Sequence, residues 1–236
     1  MKKKKKNIQS HTFGAIEEFY AAPGASTEIF GMDPTMYEET HRQRYENMIE
    51  IFKLLEIKNS TICDFGCGPG YILNRLDKSN TIIGADGYDF KDRPFKFYKF
   101  DFDYESFAEK MDESDIDYAI CFETIEHLSN PYNFLLEIKK ILKVSGLLLL
   151  SIPHEHMEHN TFYPGLLYPV ENFVVFLRQM AFKHEGHLTI PSKFGLINLF
   201  ILRNLPFEEH VQMRWENPEN KAKKMIGQPP HVQINL

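Results

Sequence analysis

The sequence predicts a doubly wound α/β fold, with seven strands in one sheet, mostly parallel with an antiparallel edge strand, and helices on both faces. Three observations predict it. Short apolar runs alternate with helical segments between residues 61 and 152. The last of these runs, Leu147 to Ile152, is almost wholly apolar, which is typical of a strand buried on both faces of a parallel sheet. A glycine-rich turn follows the first run, where such sheets bind their ligands.

The alternation gives the order of the expected elements. Five strands of the parallel part are expected at residues 61–65, 81–85, 95–100, 116–122 and 147–152. Helices are expected at 35–55, 71–76, 133–142 and 170–181, the third of them ending before Ser145-Gly146. Two further strands, at 187–190 and 196–202, are expected to form an antiparallel hairpin at one edge of the sheet.

The limits of this pattern suggest a domain organisation. Residues 1–34 are expected to form an N-terminal tail that can act as a lid, and residues 35–204 one α/β domain. A loop rich in histidine and tyrosine, at 154–169, is expected to be inserted after the fifth strand, where it would cover a substrate. Residues 205–236, with four prolines and many charges, are expected to form a C-terminal extension.

Composition places the chain among ordinary globular proteins. Its 236 residues are 43% hydrophobic and 25% charged, with a formal net charge of −6. This acidic balance argues against a long nucleic acid as partner. Three cysteines without a CxxC pair indicate a reducing, cytoplasmic location. The lysines at 2–6 precede no apolar stretch, so neither a signal peptide nor a membrane span is expected, and nothing indicates the oligomeric state.

The turn after the first strand reads Asp64-Phe65-Gly66-Cys67-Gly68-Pro69-Gly70. Glycines at alternate positions allow a tight turn and a close approach of ligand to backbone. Free amides at the start of the next helix favour an anion. A buried aspartate before the turn would repel a pyrophosphate but attract an ammonium group. The methionine end of S-adenosylmethionine offers an ammonium for Asp64 and a carboxylate for the amides.

Acidic residues also end the next two strands. Asp86 lies about 20 residues beyond the turn, where a carboxylate can accept both ribose hydroxyls of a nucleoside. Asp101 ends the third strand with Phe102 beside it, and such a pair can read the edge of an adenine and cover its face. Taken singly, Asp86 could cap a turn and Phe102 could belong to the core. Their order after successive strands favours the cofactor site.

Residues from about Thr61 to Ile152 resemble the class I S-adenosylmethionine-dependent methyltransferases, in the small-molecule branch that includes ubiquinone-type O-methyltransferases. The motifs are DFGCGPG, GADGYD, the fourth-strand segment DYAIC, and ETIEHLSNPYNFLLEIKKILKVSGLLLLSIP. The chain departs from the family at Val144-Ser145, where Pro-Gly is usual. The resemblance implies a Rossmann-like fold, S-adenosyl-L-methionine as methyl donor and S-adenosyl-L-homocysteine as product. The cofactor-binding residues that follow from it are Asp64, Gly66, Cys67, Gly68, Asp86, Gly87, Asp101, Phe102 and Glu123.

An acid–histidine cluster follows the fourth strand. If this segment is helical, Glu123, Glu126 and His127 share one face, and the fifth strand delivers His154, His156 and His159 to the same rim. Three hypotheses compete. The cluster can be a structural brace. It can be catalytic, with His127 or His154 as general base beside Glu123. It can hold a divalent metal through Glu123, Glu126, His127 and His154, as E-x-x-E-H does in small-RNA 2′-O-methyltransferases; this metal site is not favoured.

The function expected from these observations is methyl transfer to oxygen. The acceptor is expected to be a small hydroxylated metabolite such as a sugar or glycan precursor, with nucleic acid not favoured as partner. Two alternatives remain open. One is an enzyme like the RNA 2′-O-methyltransferases that uses the E-x-x-E-H segment as a metal site. The other is a non-catalytic module that only binds S-adenosylmethionine.

Overall fold

The structure, a computed structural model, describes residues 34–89, 93–154, 169–192 and 195–207. The strands are β1 (Thr61–Phe65), β2 (Thr81–Asp86), β3 (Lys96–Lys99), β4 (Ile116–Phe122), β5 (Leu142–Pro153), β6 (Phe182–Ser192) and β7 (Gly195–Asn204). The helices are α1 (Pro34–Leu54), α2 (Phe107–Lys110), α3 (Pro131–Ile141) and α4 (Val170–Gln179). The predicted tail and lid, the insertion after His154 and the C-terminal extension lie almost wholly outside the described residues.

The strands form one seven-stranded sheet in the order β3-β2-β1-β4-β5-β7-β6. Neighbours from β3 to β5 are parallel, while β7 runs antiparallel to both β5 and β6. The predicted fold class and the antiparallel hairpin at one edge are therefore confirmed. The chain order reverses between β1 and β4, and in doubly wound sheets this switch point opens a crevice at the carboxyl ends of the strands.

The two faces of the sheet carry separate apolar layers. Alternate residues of the central strands face opposite sides, as strand geometry requires. One layer packs Phe65 and Leu150 against Phe134 of α3 and Phe173 of α4. The other packs strand residues such as Ile62, Ile120, Leu149 and Leu199 against Met48, Ile49 and Phe52 of α1. Helix α1 thus closes the face beside the glycine turn. No helix among the described residues is long and apolar enough to cross a membrane.

The prediction of a helix after the glycine turn is wrong. The chain forms only a three-residue 3₁₀ turn, Leu73–Arg75, where residues 71–76 were expected to be helical. Asp77 accepts the N–H of Ser79, and Asn80 Oδ1 accepts the N–H of Ser60, so the return to β2 begins at residue 77. The segment between the glycine turn and this return is therefore only six residues long.

Helix α3 ends at Ile141, one residue before its predicted end, but the role predicted for Ser145-Gly146 in closing the helix is wrong. Strand β5 begins at Leu142, directly after α3, and includes both residues. The register against β4 shifts between Ile116, which faces Leu142, and Tyr118, which faces Leu147. Ser145 has a φ of 67°, so the extra residues of β5 are absorbed there as a bulge.

A buried aspartate ties the loop after β3 to the start of α3. Asp103 is 1% exposed and accepts hydrogen bonds from Ser129 Oγ and the Asn130 N–H, both at 2.7 Å. Asp101, a residue of the predicted cofactor site, lies in the same loop and accepts the N–H of Asp103 at 3.1 Å. The contacts of Asp103 therefore also help to position Asp101.

Replacing Asp103 with alanine is expected to lower the free energy of unfolding by about 3 kcal/mol, since two partly buried donors would lose a buried, charged acceptor. Urea denaturation of the purified variant measures this. Asp112, an exposed acid bound to Lys96, is the matched control, and its alanine variant should change stability little. Equal losses in the two variants would contradict the assigned role of Asp103.

Candidate functional site

The glycine turn is hydrogen-bonded to β2, and its backbone at Gly68 stays open to a ligand. The N–H groups of Gly66 and Cys67 donate to Ala85 O at 2.8 and 3.2 Å. Gly66, Gly68 and Gly70 have φ values of 83°, 53° and 87°, in the left-handed region that favours glycine. A side chain at Gly68 would meet no atom within 4 Å, so a ligand has room to approach the backbone there.

Two alanine substitutions separate backbone strain from packing in this turn. Both Gly66→Ala and Gly68→Ala place a non-glycine residue at positive φ, but only the first drives a methyl group into the Thr124 side chain. Gly66→Ala is therefore expected to lose about 2 kcal/mol more stability than Gly68→Ala. Gly68→Ala should instead weaken cofactor binding. Thermal unfolding and calorimetric titration with S-adenosylhomocysteine measure the two effects; equal destabilisation would contradict the Thr124 contact.

Asp64 ends β1 beneath the turn and is 4% exposed. Burial, with a smaller contribution from the neighbouring Asp86, raises the pKa of its carboxyl to about 8. Without a ligand the group is therefore mainly protonated at neutral pH. A positively charged group placed beside it would favour the carboxylate. Such an environment suits the recognition of an ammonium group.

Asp86 ends β2 and braces the turn. Its Oδ2 accepts the N–H of Gly68 at 2.8 Å and its Oδ1 the N–H of Tyr88 at 3.1 Å, with Gly87 between. Burial raises the pKa of Asp86, and the Tyr88 and Gly68 donors oppose that rise. Each carboxylate oxygen offers two lone pairs, so both can still accept a ribose hydroxyl. The residues at this point fit a nucleoside.

Cys67 contributes its backbone rather than its thiol. It is 7% exposed, its Sγ donates to Gly68 O at 3.4 Å, and it lies against Gly84. Burial, followed by the nearby Asp86, raises the pKa of this thiol well above its usual value. A thiol that stays protonated is a poor nucleophile. Cys67 is therefore a packed residue of the turn.

The loop after β3 places Asp101 and Phe102 in different surroundings. Asp101 is 6% exposed and its N–H donates to Glu105 Oε2 at 2.8 Å. The Phe102 ring lies in an aromatic cluster with Phe65, Phe107 and Phe134, at centroid distances of 6.2, 5.9 and 5.3 Å. The alternative that Phe102 belongs to the core thus accounts for its position. Contact of Asp101 or Phe102 with an adenine stays a prediction.

Glu123 is held directly after β4. Ser151 of β5 donates its hydroxyl to Glu123 Oε1 at 2.8 Å and accepts the Glu123 N–H at 3.1 Å. Arg44 of α1 lies 3.9 Å from Glu123 Oε2 and stacks on Tyr45. Burial raises the pKa of Glu123, while Arg44 and Ser151 act against that rise. Three elements, α1, β4 and β5, therefore meet at this carboxyl.

The shared helical face predicted for Glu123, Glu126 and His127 is wrong. Glu123 has a φ of 51°, and only Ile125–His127 form a single 3₁₀ turn. Glu126 is 1% exposed and neither carboxyl oxygen has a hydrogen bond. Burial, and then the nearby Glu123, raises the pKa of Glu126 well above the usual value. His127 Nε2 lies 3.8 Å from Glu126 Oε1.

The predicted metal ligands do not converge. Among the residues that the structure describes, no group of three or more histidine, cysteine, aspartate or glutamate side chains is placed to hold a metal ion. His154, at the end of β5, instead faces Asn198 of β7, with 3.1 Å between Nδ1 and Oδ1. His156 and His159 lie outside the described residues.

Three residues of this region escaped the sequence analysis, namely Arg44, Ser151 and Asn198. Ser151 and Asn198 are each 0% exposed and stand inside apolar strands, and a polar residue interrupting such a run is a usable signal. Arg44 gave no signal, since it is one of several charges on an amphipathic helix and only the packing of α1 brings it to Glu123.

Comparison with known proteins places the chain in a family. Residues 39–209 match the family model described as a methyltransferase domain, and these are well over half of the chain. The chain belongs to the S-adenosylmethionine-dependent methyltransferases. The cofactor implied by the sequence is thus confirmed, and the turn, Asp64 and Asp86 fit it.

Similar proteins show the range of this methyltransferase family. The ubiquinone biosynthesis O-methyltransferase of Pelagibacter ubique is 25% identical over 62% of this chain, and the match spans 64% of that protein's length. The methyltransferase bound to the Trm112 activator of Haloferax volcanii is 16% identical, with a TM-score of 0.61, over 81% of this chain and 98% of the other. The magnesium protoporphyrin IX methyltransferase of Synechocystis PCC 6803, with bound S-adenosylmethionine, is 12% identical, with a TM-score of 0.58. The match covers 84% of this chain and 100% of the other.

Proposed function

We propose that this methyltransferase transfers a methyl group from S-adenosylmethionine to a hydroxyl oxygen of a small metabolite, such as a sugar or glycan precursor. The observation that carries the proposal is a histidine, His154, directly after β5, at the edge of the sheet where β1, β2 and β4 also have their carboxyl ends. A hydroxyl acceptor has to lose a proton as it attacks, and a neutral imidazole can take that proton near neutral pH.

The cofactor is proposed to lie along the carboxyl ends of β1, β2 and β4. Asp64 would bind its ammonium group, Arg44 its carboxylate and Asp86 its ribose hydroxyls. When bound, S-adenosylmethionine supplies a methyl group on a positively charged sulfur, which leaves as a neutral thioether. The acidic side chains of this edge attract such a cation. What the chain must add is alignment of the acceptor and a base for its proton.

His127 is the other candidate for the base, and the two histidines differ in the contacts that hold them. His127 stands on a single 3₁₀ turn beside the buried Glu126, with 32% of its side chain exposed. His154 continues the β5–β7 ladder, because its N–H donates to Leu196 O at 2.8 Å. Since a base must hold its orientation towards the acceptor, His154 is proposed for this role.

The proposed function is tested by incubating the purified protein with S-adenosylmethionine carrying a labelled methyl group. The acceptors are methyl glycosides, nucleotide sugars, catechol and quinols, with an RNA oligonucleotide as a further arm. A labelled methyl ether of a sugar is expected, with His154→Gln slowing its formation by roughly 10²-fold or more. Labelled RNA would favour the RNA-modifying alternative. Cofactor binding without transfer to any acceptor would favour the non-catalytic binding module.

Phenolic acceptors form a second candidate class. The relative from Pelagibacter ubique is named a ubiquinone biosynthesis O-methyltransferase. Faster transfer to catechol or a quinol than to any sugar would assign the acceptor to this class and overturn the sugar proposal, while leaving O-methylation in place.

A further inference from the structure

A buried amide links two histidines at the end of β5. Asn198 is 0% exposed and pairs with Ile152 of β5 and Thr189 of β6 in the sheet. Its Oδ1 lies 3.1 Å from His154 Nδ1 and 2.9 Å from His187 Nε2. Residues two apart on a strand share a face, so both rings lie on the same side of the sheet as Asn198.

Each histidine has a second contact, through its ring in His187 and through its backbone in His154. The His187 ring stacks on Phe200, with centroids 4.7 Å apart and planes within 9°. The backbone of His154 is fixed by its hydrogen bond to Leu196 O. The amide oxygen therefore meets two imidazoles whose positions the sheet determines, rather than two mobile surface side chains.

The chemistry of one oxygen fixes the state of both rings. With Oδ1 placed between the rings, as it is here, the oxygen accepts two hydrogen bonds and donates none, so each facing nitrogen carries a proton. The buried Nδ2 of Asn198 is then left without a hydrogen-bond partner among the described residues. His154 is then the tautomer with Nδ1–H, and its Nε2 keeps a lone pair. A hydrogen bond at one ring nitrogen sets the tautomer and orientation of the other in the same way in triads and metal sites.

We propose that Asn198 and His187 are positioning residues that hold His154 as the proton acceptor of the methyl transfer. This inference rests on the proposed function. The acceptor O–H bond breaks, its proton goes to His154 Nε2 and its electron pair forms the new O–CH₃ bond. The S–CH₃ bond breaks at the same time and its electrons stay on sulfur. The imidazolium formed at His154 keeps its Nδ1–H bond to Asn198.

Nitrogen-15 NMR of histidine-labelled protein tests the tautomer without any acceptor. His154, assigned through the loss of its signals in His154→Gln, is expected to be protonated at Nδ1 and unprotonated at Nε2. Asn198→Leu should move it towards the Nε2–H tautomer, and Asn198→Asp, which still accepts both N–H bonds, should keep Nδ1–H. An Nε2–H tautomer in the unmodified protein would overturn the proposal.

A matched control separates positioning from simple destabilisation. Asn204 is a buried amide at the other end of β7, bound to Leu142 O at 2.9 Å. Asn204→Leu should lower stability and leave the His154 tautomer unchanged. If it alters the tautomer as Asn198→Leu does, the effect is general loosening of the sheet and the proposal fails.

Transfer rates then distinguish this inference from the proposed function. With an acceptor that the labelled-methyl panel reveals, Asn198→Leu should slow transfer by roughly 10- to 100-fold, with Asn198→Asp recovering part of the rate. Transfer that proceeds unchanged in His154→Gln would overturn the positioning proposal while methyl transfer to oxygen stands. No transfer to any hydroxyl, with cofactor bound, would overturn both.

Discussion

Replacing Asp86 with alanine is expected to weaken the binding of S-adenosylhomocysteine by about 100-fold. The change removes a carboxylate proposed to accept two ribose hydroxyls, and hydrogen bonds to a charged group contribute about 1.5–3 kcal/mol each. It also frees the Gly68 N–H, which Asp86 accepts at 2.8 Å, so the turn itself loses a brace. Calorimetric titration of the purified variant measures the affinity.

Asp89 provides the matched control for this prediction. It lies three residues further along the same loop, with 70% of its side chain exposed, and its partner is Arg93. Asp89→Ala should leave the affinity for S-adenosylhomocysteine within about twofold of the unmodified protein. Retained affinity in Asp86→Ala would mean that the ribose lies elsewhere and that the proposed cofactor placement is wrong.

Cofactor binding is expected to release a proton from Asp64. The pKa of this carboxyl is about 8 in the ligand-free protein, so it is mainly protonated below that pH. An ammonium group beside it stabilises the ionised form, and binding then expels the proton. The affinity should therefore rise with pH up to tenfold per unit below pH 8 and level off above it. Titration calorimetry in buffers of different ionisation enthalpy counts the protons released.

The Asp64 carboxyl also makes the folding stability of the ligand-free protein depend on pH. Its folded pKa lies above the ordinary value of 3.8, so between pH 4 and 8 the folded state binds more protons at Asp64 than the unfolded state. The contribution of Asp64 to folding stability is therefore present at low pH and falls as pH rises through this range. Added S-adenosylhomocysteine should counter that fall.

Asp64→Asn is the variant that isolates this effect. It should abolish the proton release and flatten the pH dependence of affinity, while binding more weakly than the unmodified protein at pH 8. Binding by the unmodified protein with no proton released at pH 7 would contradict ammonium recognition by Asp64. The affinity of Asp86→Ala for S-adenosylhomocysteine would still test the proposed ribose contact separately.

Local pattern was enough to place most of the sheet. The boundaries of β1 and β4 match the predicted ones, and β2 differs by one residue, because strands buried in a parallel sheet are short and mainly apolar and so stand out in the sequence. The prediction for residues 71–76 was wrong because helical periodicity over six residues is also compatible with a 3₁₀ turn. The side chains of Asp77 and Asn80 accept hydrogen bonds from the Ser79 and Ser60 N–H groups, and these contacts start the return to β2.

The sequence by itself indicated the family and the methyl donor, and it placed the residues of the proposed cofactor site at one edge of the sheet. Those conclusions rest on residues close together in the chain, such as Asp64, the glycines that follow it and Asp86. Only the tertiary structure decided the surroundings of Glu123, which meets Arg44 of α1 and Ser151 of β5. It alone brought His154, Asn198 and His187 together. These contacts join distant segments, and strand register and helix packing set them rather than any local residue pattern.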